Sequence, residues 1–345
     1  VSLRNEIFEQ ADVLQNLLDS EWQGIQRIAE KIKNRNIKYI FFTARGTSDN
    51  AGLYAKYLLG INNHLPVALS APSMFSIYQS APRLEDALVL AFSQSGQSPD
   101  IVKVIEEGRR QGAMTLAITN ATDSPLAEAA DEVIDMRAGE EKAVAATKSY
   151  TAEMMVSAMI SAALKNSQDL HSDLKKVPGF ISQALEMDQV IQQAAEQFSD
   201  VKHSVIVGRG YNYATAFEWA LKMEELTYII SKAYSSADFL HGPIAMVELG
   251  FPVFMIAPSG KVFQDLQLLA KKLKNEKQAR LLVLSDREEI LDFSSAPLKL
   301  PGNIPEWISP ITSIVPAQLF CMALARLRGL DTENPRGLSK VTLTT

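Results

Sequence analysis

One offset runs through this chain twice. Val205-Ile-Val207 precedes Arg209-Gly210 as Phe41-Phe42-Thr43 precedes Arg45-Gly46. Phe254-Met-Ile-Ala257 leads to Ser259-Gly260 as Val89-Leu-Ala-Phe92 leads to Ser95-Gly96. The loop residues of both pairs are 164 apart, and a third match, Leu282–Asp286 against Leu116–Asn120, needs 166. A period of about half of the 345 residues is too long for a solenoid unit, so it reads as a duplication of whole domains. The length suits two ordinary domains.

Each copy carries short apolar runs separated by stretches of helical period. Lys38–Thr43, Ala87–Phe92 and Ala113–Ile118 are rich in aromatic and β-branched residues and read as buried strands. Strands alternating with helices predict an α/β fold in which a parallel sheet is flanked by helices on both faces. Leu3, Ile7, Leu14, Leu17 and Leu18 recur at helical spacing and predict an opening amphipathic helix, with a second ending near Lys33. The helical, polar stretch Asn166–Gln197 is expected to link the copies. Ile311–Arg328 is expected to be a helix broken or begun at Pro316, followed by a polar tail from Asp331 to Thr345.

Composition narrows the function classes. Hydrophobic residues make up 47% and charged residues 21%, enough for a proper core. A net charge of −6 gives no global field to attract nucleic acid or anionic lipid, so a bound phosphate must be held by local geometry. The single Cys321 sits in an apolar stretch; it supports no disulfide framework and no cysteine metal site, and fits a reducing compartment. The mixed polar start, Val1 to Gln10, lacks a secretory pattern. Pro316, Gln318 and Arg326 interrupt Ile311–Leu327, which is expected to be too short and broken to span a bilayer. The expectation is a soluble, cytoplasmic protein.

The first loop with chemistry is Ser93-Gln-Ser-Gly-Gln-Ser98, between a buried strand and a helix beginning near Pro99-Asp100. Ligands of parallel α/β sheets bind at the carboxyl ends of strands, where a helix start offers free N–H groups and partial positive charge. Three hydroxyls and a glycine suit a phosphate dianion; an ordinary helix cap with turn residues reads equally well from this loop alone. Arg45-Gly-Thr-Ser48 ends the preceding strand and adds the hydroxyls of Thr47 and Ser48. The second copy has Tyr211-Asn212 and Ser259-Gly260-Lys261 at the matching positions. It has lost the serine cluster, so phosphate binding is expected of the first copy.

In the second copy Glu218, Lys222 and Glu225 fall at i, i+4 and i+7 of a helix that also carries Trp219, Leu221 and Leu226. Spacing alone favours a solvated ion pair on a surface helix. His241 precedes Gly242-Pro243 in a turn and could shuttle protons, although a lone loop histidine is more often structural. Histidines 64, 171, 203 and 241 are scattered, with no metal-ligand spacing. In the tail, Lys340 follows Pro335 and Gly337, which would shape a turn and point it inward. A buried lysine sheds its proton more easily and becomes a nucleophile towards carbonyls.

Together these residues resemble, over nearly the whole chain, the sugar isomerase (SIS) family in the arrangement of the isomerase half of glucosamine-6-phosphate synthases. The resemblance rests on Gly46-Thr-Ser48, Ser93-Gln-Ser-Gly96, Thr147-Lys148, Ala220-Leu-Lys222 with Glu225, His241-Gly-Pro243 and Asn334-Pro-Arg336 with Lys340. It implies two tandem SIS domains of doubly wound, flavodoxin-like architecture, over residues 28–168 and 195–335, with 336–345 completing the active site. It implies a sugar phosphate on Thr47, Ser48, Ser93, Gln94, Ser95 and Ser98, with Val144, Arg336, Glu218 and Lys222 as further substrate-binding residues. Glu225 would move a proton between C1 and C2, and His241 would open the sugar ring, often from a partner subunit. Lys340 would form a Schiff base with the keto sugar. Ala146 stands where the family has serine, which puts the hydroxyl pattern of the sugar in question.

No glutaminase-type segment with a catalytic cysteine precedes these runs, so the resemblance points to the stand-alone SIS-type deaminases. The expected reaction is glucosamine 6-phosphate plus water to fructose 6-phosphate plus ammonia. Alternatives are another phosphosugar isomerase, a galactosamine-6-phosphate deaminase/isomerase, a fructosamine-phosphate deglycase, a synthase module fed by a separate glutaminase, or a sugar-phosphate-sensing regulator. The regulator would need a basic helix-turn-helix, absent from the first 35 residues. The expected partner is a small sugar phosphate, with no cofactor or metal, no nucleic acid and no membrane; the expected assembly is a homodimer.

Overall fold

The structure, a computed structural model, describes residues 2–340. They divide into two compact units. The amino-terminal unit comprises residues 12–141, 148–176 and, from the tail, Ser339 and Lys340. The carboxy-terminal unit comprises residues 2–11, 142–147 and 177–338.

Two helices open the chain, α1 (Leu3–Phe8) and α2 (Gln10–Asn34). The opening helix expected across Leu3 to Leu18 is therefore interrupted at Glu9, and Leu14, Leu17 and Leu18 lie on α2. The Gln10 amide donates to the Ile7 carbonyl at 2.8 Å, giving the end of α1 a partner outside the helical ladder. The amino-terminal unit continues through β1 (Tyr39–Thr43), α3 (Thr47–Asn63), β2 (Val67–Leu69), α4 (Ser73–Ser76), β3 (Ala87–Phe92), α5 (Pro99–Arg110), β4 (Met114–Thr119), α6 (Pro125–Ala129), β5 (Glu132–Asp135), α7 (Lys148–Lys165) and α8 (Gln168–Leu174).

All neighbouring strands are parallel, in the order β2-β1-β3-β4-β5. The central strands β3 and β4 are buried at every position, which is why they read as continuous apolar runs. Strands β2 and β5 sit at the edges, short and partly exposed, and carry too little apolar signal to stand out in the sequence. Every residue of α7 from Lys148 to Ala163 is buried, so along that length the helix has no side facing solvent.

Helix α3 packs on the sheet through Gly52, where a Cβ would overlap the Phe42 ring. Phe42 has no room to retreat, being fully buried and edge-on to Phe92 at 4.8 Å between centroids. Gly52→Ala is expected to destabilise this unit by about 1–3 kcal/mol through overpacking, despite the better helix propensity of alanine. Thermal unfolding checks it; an unchanged or higher Tm would contradict the packing.

The carboxy-terminal unit runs through α9 (Val177–Leu185), α10 (Asp188–Gln197), β6 (His203–Gly208), α11 (Tyr213–Thr227), β7 (Ile230–Ser235), α12 (Ser236–Leu240), β8 (Pro252–Ile256), α13 (Phe263–Asn275), β9 (Arg280–Ser285), α14 (Glu288–Leu291), β10 (Ala296–Lys299) and α15 (Ser309–Leu327). Its parallel sheet is ordered β7-β6-β8-β9-β10. That is the order of the first sheet, so the duplication read from the sequence appears as repeated topology.

Three expectations need correction. The stretch Asn166–Gln197 is no linker: from Val177 it supplies α9 and α10, which pack on α15 with Ile181, Ala184, Ile191 and Ala195 buried. Pro316 neither breaks nor begins the last helix, because α15 runs through it from Ser309 to Leu327. The stretch Glu306–Leu327 is, against expectation, long and apolar enough to cross a bilayer. From Trp307 to Ala325 it is buried within the fold, and such burial gives a core helix the same composition.

Candidate active site

In the order 2-1-3-4-5, the chain leaves β1 and β3 in opposite directions, which opens a crevice between their carboxyl ends. The two hydroxyl-bearing loops follow these two strands. Thr47 and Ser48 begin α3, while Ser93, Gln94, Ser95 and Ser98 line the turn from β3 into α5. Within that turn the Ser93 hydroxyl accepts the Gly96 N–H at 3.1 Å, and the Ser95 hydroxyl accepts the Gln97 N–H at 3.3 Å. Both therefore keep a proton to donate to an anion. Ser98 precedes Pro99 and makes no side-chain cap, so its hydroxyl is not spent on the helix either.

Gly96 takes φ +63°, and a Cβ there would overlap the Ser124 side chain. Gly96→Ala is expected to distort the turn and weaken binding of inorganic phosphate by about tenfold or more, a strain of 1–3 kcal/mol. Calorimetric titration against the parent chain checks it, and equal affinity would contradict the loop assignment.

The loops are braced by residues that sequence reading passed over. Arg45 donates to the buried Asp100 carboxylate through Nε at 2.8 Å and a terminal nitrogen at 2.6 Å, clamping the first loop to the start of α5. Ser48 donates to Glu153 of α7 at 2.7 Å. A hydroxyl has one proton, so in this arrangement Ser48 meets a ligand as an acceptor and would have to turn to donate to a phosphate.

Lys340 is in the same unit, with its side chain 23% exposed and its ammonium 2.7 Å from Glu141. Glu141 also accepts the Ser149 N–H at 3.1 Å and the Ser149 hydroxyl at 2.7 Å. Val144 lies in the 142–147 segment of the carboxy-terminal unit, half-buried. Glu6 of α1 holds that segment by accepting the N–H groups of Lys142 at 2.5 Å and Ala143 at 3.3 Å.

In the carboxy-terminal unit the triplet on α11 is not a solvated pair, contrary to the reading from spacing. Glu218 and Lys222 are buried, and the Lys222 ammonium bridges Glu218 at 3.3 Å and Glu225. The face that includes them packs against the core beside Trp219, which lies over Phe254 at 5.3 Å. Burial pushes the Lys222 ammonium towards neutrality, but the two carboxylates outweigh it and its pKa is raised. Glu225 alone of the three reaches outward, its side chain 23% exposed.

Helix α11 ends at Tyr228, in the left-handed conformation. Its hydroxyl accepts the Arg336 N–H at 2.8 Å, and its ring stacks under the Arg336 guanidinium at 4.3 Å. Arg336 is thereby held by the residue that terminates the Glu225 helix. His241 lies outside this group: it follows α12, is exposed, and its ring makes no hydrogen bond or ion pair with any described residue.

The matching crevice of this unit is lined with acid. Ser259 gives its N–H and hydroxyl to Asp286 at 2.6 and 2.5 Å. Burial, with Glu306 nearby, pushes Tyr211 up to about 12. The contacts with Asp286 occupy the Ser259 hydroxyl, which is therefore not free to donate to a phosphate. The brace nonetheless persists, for Arg209 pairs with Asp265 at 3.1 Å as Arg45 does with Asp100. Both members of that pair recur at the repeat spacing, the one signal by which the brace could have been found in the sequence.

Comparison with known proteins gives a match to the SIS domain over residues 34–163 and again over 197–327. The chain belongs to the SIS family. Its two SIS domains are 36% identical, over 97% of this chain, to a Thermococcus kodakarensis protein named glutamine–fructose-6-phosphate aminotransferase [isomerizing]. The chain spans 56% of that relative's length. Among solved SIS structures, a candidate phosphosugar isomerase from Silicibacter pomeroyi superposes with TM-score 0.87 at 32% identity, over 96% of this chain and all of the other. The carboxy-terminal domain of glucosamine-fructose-6-phosphate aminotransferase from Francisella tularensis also gives 0.87, at 26% identity, over 96% of this chain and 98% of that one.

Proposed function

We propose that this SIS chain is an aldose–ketose isomerase of amino-sugar phosphates that converts glucosamine 6-phosphate and water to fructose 6-phosphate and ammonia. The observation that carries the proposal is Glu225, a partly exposed carboxylate tethered by a buried lysine on a helix of a two-SIS-domain chain. Such a group is fixed in place and still able to take a proton from carbon. In the open-chain substrate the carboxylate removes the C2 proton, and the C–H electrons move into the C1–C2 bond as the aldehyde oxygen takes a proton from water, giving an enaminol. Return of the proton to C1, with loss of one N–H proton to water, leaves an imine at C2. Water adds there and ammonia departs, giving the ketose.

The serine turn of the amino-terminal unit is assigned the phosphate and Arg336 an anionic oxygen of the sugar. Ring opening is assigned to His241 and imine exchange to Lys340. We assign the chain a homodimer, with Leu240, Met246 and Leu249, all exposed at the end of α12 or in the segment that follows it, as candidate contact residues. We place the protein in the cytoplasm, where its one buried thiol, Cys321, stays reduced.

The test is incubation of pure protein with glucosamine 6-phosphate while ammonia and ketose are followed. Equal release of both supports the reading, and absence of turnover ends it. The names of the curated relatives favour a second reading, in which the same residues aminate fructose 6-phosphate. Net synthesis with added ammonia, exceeding the reverse rate, would decide for it. A panel with galactosamine 6-phosphate and fructosamine phosphates separates the remaining substrates.

A further inference from the structure

We propose that Glu141 is the positioning residue of Lys340, tying the tail lysine to the phosphate-binding loops; this rests on the phosphosugar reading above for its role in turnover, though not for the tether itself. Glu141 is fully buried at its side chain and accepts from both Ser149 and the Lys340 ammonium, so Lys340 brings a positive charge to a buried carboxylate. A charge so buried is costly without such a partner, which gives the tail a strong reason to stay docked.

The segment that bears Glu141 is itself sewn to the serine turn. Asn120, at the end of β4, donates its backbone N–H to the Gln94 carbonyl at 3.1 Å. Its side chain accepts the Ala138 N–H at 2.9 Å and donates to the Gly139 carbonyl at 2.6 Å. Two residues on is Glu141. A continuous path of short contacts thus runs from the phosphate turn through Asn120 and Glu141 to Lys340, all at the carboxyl-end side of one sheet. The path fixes where the lysine stands relative to a sugar whose phosphate sits in that turn. Only the charged partner for Lys340, and not the phosphate loop, is removed by Glu141→Gln.

Two measurements on the full chain test this. The first is the rate at which trinitrobenzenesulfonate labels Lys340, read by mass spectrometry against exposed Lys56 of the same unit. A charge-assisted bond to a buried carboxylate is expected to slow Lys340 about tenfold or more, and Glu141→Gln to bring it within about threefold of Lys56. The second is turnover of glucosamine 6-phosphate, for which the variant should lose about tenfold or more in kcat with KM within about threefold. Should Glu141→Gln fail to accumulate as folded protein, Ser149→Ala loosens the same carboxylate and is expected to give an intermediate labelling rate. Labelling unchanged by either variant, or kcat unchanged, overturns the proposal. Faster labelling in a chain whose parent does not turn over the sugar would uphold the tether and end the deaminase reading.

Discussion

Glu225→Gln is expected to lower turnover of glucosamine 6-phosphate by about 10²–10⁴-fold, the usual worth of a positioned general base. Glutamine has the shape of glutamate and can still accept from the Lys222 ammonium, but it cannot take a proton from C2. The cluster on α11 should survive, because Lys222 keeps its bridge to Glu218. KM should move little, since the proposal assigns the phosphate contacts to the serine turn, and the variant should melt close to the parent. The assay is ammonia release at saturating substrate, paired with exchange of the C2 hydrogen in D2O. A variant that turns over normally would remove Glu225 from the mechanism. One that fails only by losing substrate affinity would recast it as a binding group.

Lys222→Met should damage the fold itself. Its side chain is 1% exposed and Glu218 beside it is fully buried, so methionine leaves a buried carboxylate without its lysine. Losing one partner of a buried pair costs about 3–5 kcal/mol, which for a unit of this size is roughly 10 °C in Tm. Glu225 would lose its tether as well, so activity should fall even where the chain stays folded. The second half of this prediction is recovery: Glu218→Gln combined with Lys222→Met removes both charges and should regain much of the lost stability, because matched neutral replacement of a buried pair is far milder. A single variant that melts like the parent, or a double variant no better than the single, would contradict the burial described for this cluster.

The fold was legible to the degree that it depended on buried apolar strands and repeated glycine turns. β3 is a uniform apolar run, and β1 and β4 are apolar but for threonines, because both faces of a parallel sheet are covered, and the turn pairs Gly46/Gly210 and Gly96/Gly260 marked the duplication. What escaped was set by tertiary surroundings. Spacing could place Glu218, Lys222 and Glu225 on one helix face, but whether that face met water or Trp219 and Phe254 was decided by packing. Pro316 looked like a helix break by local rules, and burial on every side of α15 overrode them.

The candidate site divides in the same way. Hydroxyls at strand ends can be found by motif, since their neighbours in sequence form the turn. Glu141, Glu153 and Tyr228 could not be found so, because each acts on a residue far along the chain: Lys340, Ser48 and Arg336. The contrast between the two crevices was half visible. Loss of serines in the second copy showed in the sequence, whereas the carboxylates of Asp286 and Glu306 around it did not.

Proton transfer between C1 and C2 of an amino-sugar phosphate, proposed for Glu225, leaves a trace that an isotope label reads. Glucosamine 6-phosphate carrying deuterium at C2 is turned over in ordinary water and the fructose 6-phosphate is read by NMR. The account predicts ammonia in equal amount with ketose, deuterium either at C1 or lost to solvent, and both processes suppressed together by Glu225→Gln. Ketose formation at the parent rate in that variant, or no ammonia from the parent chain, would contradict it.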